Sequence, residues 1–460
     1  MRDAPPATFA LFGHRLDIKD GVLWYCDPNE GWISQPDLEN SDMMEGTMDR
    51  RSVMTGMLGT AAVLWTPPDA FALGLPKDKI KRIRYYKTPT DAAGRPNIHQ
   101  PTFNQSTNIV TIETESGLMG VGEGGEPSTM EQCAGLLIGE DPFRIEHQWQ
   151  TMERGYFYPS GREKTHSLGA LDVALWDLKG KALGVPVWQL LGGKSRDYVE
   201  CYATAYPTPP GGTLEDAARA CIAEGFRAYR TAVHESENFD RFEAVRQTVE
   251  ECQAIRRGVG KDGAWALDFH GVMDPEDAIT LATEVEPLHP FFCEDLIRGE
   301  NIGVYKVMRP RLRVPVAVGE IYGVKWEIAP LIEQNLIDFA RCTVPNVGGI
   351  TEYMKIAALA ETHYCGLIPH FTGPIGETAL VHCLTATSVI ALMEMTGAGR
   401  HPWPYLPQAY DFHNGKLWPN DRPGLGVTLD TSKLEKVGDW TEHYAPIQIN
   451  HRPDGSYTNW

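Results

Sequence analysis

The chain has no Cys-x-x-Cys pair. Its nine cysteines, at 26, 133, 201, 221, 252, 293, 342, 365 and 383, follow no framework spacing, which argues against a zinc ribbon or a disulfide scaffold. Several sit inside apolar runs such as PFFCED and HYCGLIPH, so they read as buried free thiols, the usual state in a reducing compartment. Basic charge is scarce as well. With 42 Lys and Arg against 61 Asp and Glu, the net charge is −19, and no nucleic acid or anionic membrane surface is expected as a partner. An anionic substrate must then be drawn in by local cations, because the global field opposes it. Long apolar runs are also missing. The best candidate, Val53 to Trp65, is too short and too rich in Gly and Thr to span a bilayer. What remains is an ordinary soluble-enzyme composition, 42% hydrophobic and 10% aromatic, over 460 residues, enough for one large barrel and a smaller companion.

Residues 1–78 read as an N-terminal extension. Within it, 48–72 holds Arg50-Arg51, a modest apolar run and the small-residue pattern Ala70-Phe71-Ala72, which together resemble a twin-arginine export signal. Translation is then expected near Met48 and cleavage after Ala72, giving a periplasmic protein; without the signal the expected address is cytoplasmic. From 79 to 195 the pattern is that of an α+β capping domain. KIKRIRYYKT and TNIVTIETESGLMGVGEG alternate as half-buried antiparallel strands do, and Leu168, Leu171, Ala174, Leu175 and Leu178 share one helical face.

From 196 to 395 strands and helices alternate through eight units. No GxGxxG turn of the nucleotide-binding kind leads from a strand into a helix in this stretch, so a (β/α) barrel fits better than an open doubly wound sheet. The Pro- and aromatic-rich residues 396–460 read as a tail returning to the capping domain.

Three of the barrel strands carry the chemistry. AWALDFHG, PFFCEDLI and VPVAVGEIYG are apolar runs that end in Asp268, Glu294 and Glu320, at equal intervals of 26 residues. One interval holds a strand, a helix and two loops, so the three carboxylates fall on the ends of successive strands and face one cavity. Clustered anions need a proton or a cation. An all-oxygen set suits a hard dication, Mg²⁺ first and Mn²⁺ second. Four more residues belong to that rim: His270 two positions past Asp268, His370 at the end of YCGLIPH, Arg230 in the second strand and Glu394 in the eighth. A carboxylate-bound dication makes a proton α to a carboxylate removable by a neutral His, and a second His in the opposite protonation state can expel a β-hydroxyl.

The segments ALDVALWDLKGKALGVPVWQLLGG, VGGITEYMKIAALAE, IPHFTGPIG and RPGLGV, with the acid triad, resemble the mandelate racemase branch of the enolase superfamily over residues 79 to 435. Within it the resemblance is to acid-sugar dehydratases of the galactonate and mannonate type. It implies Mg²⁺ on Asp268, Glu294 and Glu320, His370 as the base, His270 as the acid, and Glu394 hydrogen-bonded to the substrate carboxylate. The implied reaction takes an aldonate or aldarate through an enediolate to a 2-keto-3-deoxy acid, in a homo-oligomer. An epimerase or cycloisomerase using the same enediolate, and a noncatalytic sugar-acid-binding protein, are the alternatives. Two departures stand out. Where many relatives carry Lys-x-Lys in the second strand this chain has Arg230-Thr231-Ala232, which removes a second base and leaves Arg230 to bind anionic oxygens. Thr343 stands near the position from which an Asp orients the seventh-strand His in relatives.

Overall fold

A computed structural model describes residues 8–11, 14–19, 22–27 and 31–34 as backbone, and 74–88, 108–155, 157–235, 239–396, 403–444 and 449–458 in full. The suspected export signal at 48–72 and the loop at 90–105 lie outside the described residues. The chain divides into two compact units, Met1–Gly74 and Leu75–Trp460. In the first, β1 (Thr8–Leu11), β2 (His14–Lys19), β3 (Val22–Asp27) and β4 (Gly31–Ser34) form an antiparallel meander. The β-branched and aromatic content of VLWYCD and GWIS suits paired strands, a regularity not anticipated for the extension.

In the second unit, a four-stranded antiparallel sheet orders β18 (Glu435–Trp440), β5 (Ile80–Lys87), β6 (Ile109–Thr114) and β7 (Met119–Glu123). The β6–β7 turn passes through Gly117 at φ 88°, and the Asp78 carboxylate holds Ser116 Oγ at 2.5 Å. Helices Pro127–Leu137, Ile145–Arg154 and Arg162–Leu183 cover one face. The last ends at Gly184 (φ 69°), whose N–H donates back to the final turn. Strand β7 lies directly on this helix, because a Cβ at Gly122 would come within 1.9 Å of the Ala170 carbonyl oxygen.

Eight parallel strands then form the barrel: β8 (Val199–Thr204), β9 (Ala228–Ala232), β10 (Ala264–Asp268), β11 (Cys293–Glu294), β12 (Val316–Val318), β13 (Phe339–Ala340), β14 (Gly366–Leu367) and β15 (Met393–Thr396). β15 pairs with β8. Leu367 pairs with Ala391, its N–H donating to the Ile390 carbonyl, so the residues entering β15 close the ring. Helices Leu214–Ala223, Arg241–Val259, Pro275–Val285, Lys325–Glu333, Ile350–Thr362 and Pro374–Thr385 pack outside, as expected of a (β/α) barrel beneath an α+β cap. A hairpin of β16 (Asp411–His413) and β17 (Lys416–Trp418) pairs with the start of β8.

Inside the ring, Tyr202, Ala228, Ala266, Phe292, Ala317, Phe339, Ile368 and Leu392 make one apolar layer, one residue from each stave. Large and small side chains fill it and close the lumen, which leaves the polar strand ends as a rim above a dry floor. The cap is bonded to the barrel helices: Trp149 Nε1 donates to the Gly348 carbonyl at 2.8 Å, and the Asp172 carboxylate accepts from Thr351 N and Oγ1 at 3.0 and 2.6 Å. Eight cysteines are described, and all are buried and unpaired. No described helix is long and apolar enough to cross a membrane.

Candidate active site

Strand register sets the rim. Asp268 and Glu294 are direct partners across β10 and β11, Glu394 faces Tyr202 across β15 and β8, and Arg230 faces Thr204 across β9 and β8. Glu320, Arg341 and His370 follow within three residues of the ends of β12, β13 and β14. Five of the seven residues expected at the site stand at or just past strand ends, while Arg230 lies mid-strand in β9 and Glu394 inside β15; beside them stand two that sequence reasoning did not single out, Arg341 and Asp295.

Arg230 and Arg341 dominate the electrostatics. Arg230 Nη1 lies 2.5 Å from Asp268 Oδ2 and 3.1 Å from Glu294 Oε2, its Nη2 lies 3.3 Å from Glu394 Oε1, and its Nε donates to Thr204 Oγ1 at 2.8 Å. Arg341 is wholly buried. Its Nη2 sits 3.0 Å from Glu320 Oε2 and 2.7 Å from Glu394 Oε2, its Nε is 2.6 Å from Glu294 Oε1, and its Nη1 donates to Tyr202 Oη and to the Ile368 carbonyl. Arg230 was expected to hold substrate oxygens; its guanidinium pairs here with three of the protein's own carboxylates.

Of the three carboxylates expected to bind metal, Glu294 and Glu320 come together, with Asp295 as the third member. One ligand oxygen from each lies within 4.8 Å of the others. Asp268 stands beside them, its Oδ2 on Arg230 and its Oδ1 accepting the His270 N–H at 2.7 Å. Alternation along a strand would turn Asp295 away from the side Glu294 faces. The strand has ended by then, and Asp295 adopts φ 39°, a left-handed conformation uncommon outside Gly and Asn. No sequence signal marks that twist.

Burial pushes the Glu294 and Asp295 carboxyls well above the usual range, with Arg230 and Arg341 pulling Glu294 back and Glu320 and Asp268 adding to Asp295. Burial also acts on Glu320, but His370 and Arg341 outweigh it and hold the group at about 2. Buried Asp295 Oδ1 has no hydrogen-bond partner.

The donor set fits a hard dication. Two oxygens both bound to an ion at ~2.0–2.6 Å can be at most ~4–5 Å apart, which the 4.8 Å cluster meets. Among the described residues, the five carboxylates of Asp268, Glu294, Asp295, Glu320 and Glu394 face two guanidiniums, Arg230 and Arg341, and two imidazoles, His270 and His370, so a cation relieves the excess.

His370 Nε2 lies 3.7 Å from Glu320 Oε2, and its ring stacks on Phe371 at 4.1 Å. The His370 main-chain N–H donates to the Arg341 carbonyl at 3.2 Å. His270 is exposed at the rim, at φ 50°. Buried Thr343 has a hydroxyl without a hydrogen-bond partner.

Comparison with known proteins places this geometry. Residues 97–192 match the mandelate racemase/muconate lactonizing enzyme N-terminal domain, and 213–433 match the enolase C-terminal domain-like family. A D-galactonate dehydratase family member of Streptomyces bingchenggensis is 34% identical over 76% of this chain and 93% of its own length. A D-mannonate dehydratase of Caulobacter vibrioides is 33% identical over 77% of this chain and 96% of its own. Among solved structures, an enolase from Agrobacterium radiobacter that holds Na and L-malate superposes with a TM-score of 0.68 at 29% identity, over 82% of this chain and 99% of that one. The family and the curated relatives make the chain an enzyme, a lyase of the hydro-lyase class. The chain belongs to the mandelate racemase/muconate lactonizing enzyme family of the enolase superfamily.

Proposed function

We propose that this protein dehydrates a sugar acid, an aldonate or aldarate, to a 2-keto-3-deoxy acid, with Mg²⁺ as cofactor and Mn²⁺ as a substitute. The observation that carries this is the position of His370, 3.7 Å from a carboxylate of the Glu294, Asp295 and Glu320 cluster, at the rim of a barrel whose relatives include D-galactonate and D-mannonate dehydratases. Glu294 and Glu320 would hold the metal, with Asp295 and Asp268 completing the oxygen set. When bound, it supplies the positive charge that makes a proton α to a carboxylate acidic enough to remove.

The chain's own groups do the rest. His370 takes the α-proton and leaves an enediolate. His270, on the exposed side of the rim, gives a proton to the β-hydroxyl, which departs as water, and the enol tautomerises to the 2-keto product. Glu394, anchored between Arg230 and Arg341, sets the register of the substrate carboxylate. The aromatic face of Phe371 keeps the His370 ring in one orientation. The address is periplasmic if residues 48–72 direct export and cytoplasmic otherwise, which N-terminal sequencing from the native host decides.

A library of aldonates and aldarates incubated with Mg²⁺ and assayed with semicarbazide tests the reaction. One or a few acids are expected to yield 2-keto products. Exchange of the α-proton in D₂O without loss of water points to an epimerase or cycloisomerase, and tight binding with no turnover across the library to a noncatalytic binding protein; either result overturns the dehydratase reading.

A further inference from the structure

Among the described residues of the rim, Arg341 and Arg230 each pair with three carboxylates, and no role for Arg341 follows from the reaction chemistry above. It is wholly buried and one residue past β13. A buried guanidinium costs several kcal/mol of desolvation unless all its donors are used. Here Nη2 reaches Glu320 beyond β12 and Glu394 of β15, Nη1 donates to Tyr202 of β8 and the Ile368 carbonyl, and Nε lies 2.6 Å from Glu294 of β11 as an ion pair without hydrogen-bond geometry, so the guanidinium ties together three acid-bearing staves. Its carbonyl also fixes the main chain of His370. The planar fork therefore spans a metal-ligand pair, the carboxylate that meets the substrate, and the backbone of the base. Thr343, two residues on, offers no carboxylate with which to orient His370.

We propose that Arg341 is the positioning residue of this site. It fixes the directions of Glu320 and Glu394, and through Glu320 the direction of His370, in place of an acid behind the histidine. The proposal rests on the dehydratase reading for its kinetic part only; its metal-binding part stands apart.

Positioning and mere charge balance predict opposite results. If Arg341 only neutralises charge, Arg341→Met makes the cluster more anionic and Mn²⁺ binds more tightly, while Arg341→Lys leaves affinity unchanged. If it positions the ligands, both variants weaken Mn²⁺ binding by about tenfold or more, as loss of groups that orient metal ligands does. Titration calorimetry of full-length protein stripped of metal and titrated with Mn²⁺ alone reads this without substrate, and near-UV circular dichroism reports whether each variant is folded. Tyr202→Phe keeps the charge and the fold while removing one anchor of the fork, so it covers the case in which both Arg341 variants unfold. It is expected to weaken Mn²⁺ binding about threefold or more. With a turned-over acid, Arg341→Lys lowers kcat about 100-fold with KM within about threefold, the pattern of a misaligned base.

Unchanged Mn²⁺ affinity in folded Arg341→Lys, or in Tyr202→Phe if the Arg341 variants do not fold, overturns the positioning role and leaves the dehydratase reading intact. Mn²⁺ binding that falls as stated in a protein that dehydrates no acid overturns the dehydratase reading and leaves the positioning role. Absence of Mn²⁺ binding by the unaltered protein overturns both.

Discussion

His370 is the side chain whose role can be isolated most cleanly. Among the described residues, its ring meets the Glu294, Asp295 and Glu320 cluster across 3.7 Å to Glu320, and no hydrogen bond of the ring builds the fold. Replacing it with Asn should cost about 10²–10⁴ in kcat while Mn²⁺ affinity stays within a few-fold, as measured by steady-state kinetics beside calorimetry. A rate within tenfold of the original would remove it as the base. Glu294 and Glu320 are legible in the amino-acid sequence alone, because equal intervals after buried strands place carboxylates at one depth. Arg341 and Asp295 are not. An Arg closing LIDFAR reads as a solvated strand end, and Asp295 reads as the outward neighbour of Glu294. The signal that points to Arg341 is a count of charge: Asp268, Glu294, Glu320 and Glu394 on one rim, with only Arg230 recognised opposite them, require another cation.

Among the elements, the helix Pro374–Thr385 carries a pH-sensitive joint. His382 is fully buried, accepts the Trp188 N–H on Nδ1 at 3.1 Å and faces the Leu425 carbonyl with Nε2 at 3.2 Å. That assigns a neutral ring with the proton on Nε2; an imidazolium would point a second N–H at Trp188. Burial first, then Arg422 and Lys194 against the help of Leu425, drive its pKa down to about 4. The unfolded chain takes up this proton near pH 6.5, the folded chain only near 4. Between those values the unfolded state binds more protons, so stability falls on acidification across that window. His382 alone contributes a loss of order 3 kcal/mol, and His166, buried and also lowered to about 4, acts in the same direction. Urea unfolding at pH 7 and pH 4.5 should show the difference shrink in His382→Gln, and an equal difference in the variant would refute the assignment. The helices are readable from apolar periodicity to within a few residues. The pairing of His382 is not, since both of its partners are main-chain groups distant in sequence.

At the scale of the whole molecule, a chain of net charge −19 is asked to bind an anion. The rim of the barrel reproduces the problem locally, with carboxylates outnumbering guanidiniums above an apolar floor. The barrel itself is legible because doubly buried parallel strands are apolar runs with polar ends. The four strands at 8–34 escape a sequence reading that takes the residues ahead of Met48 as an extension. A dication would resolve the charge conflict at the rim, and the proposed function depends on it. The most direct test is to strip metal from the purified protein with excess chelator, follow turnover of an accepted sugar acid, and add Mg²⁺ back. Turnover should fall to background and return with Mg²⁺; a full rate after exhaustive chelation contradicts the assignment of Glu294, Asp295 and Glu320 as the seat of a catalytic metal.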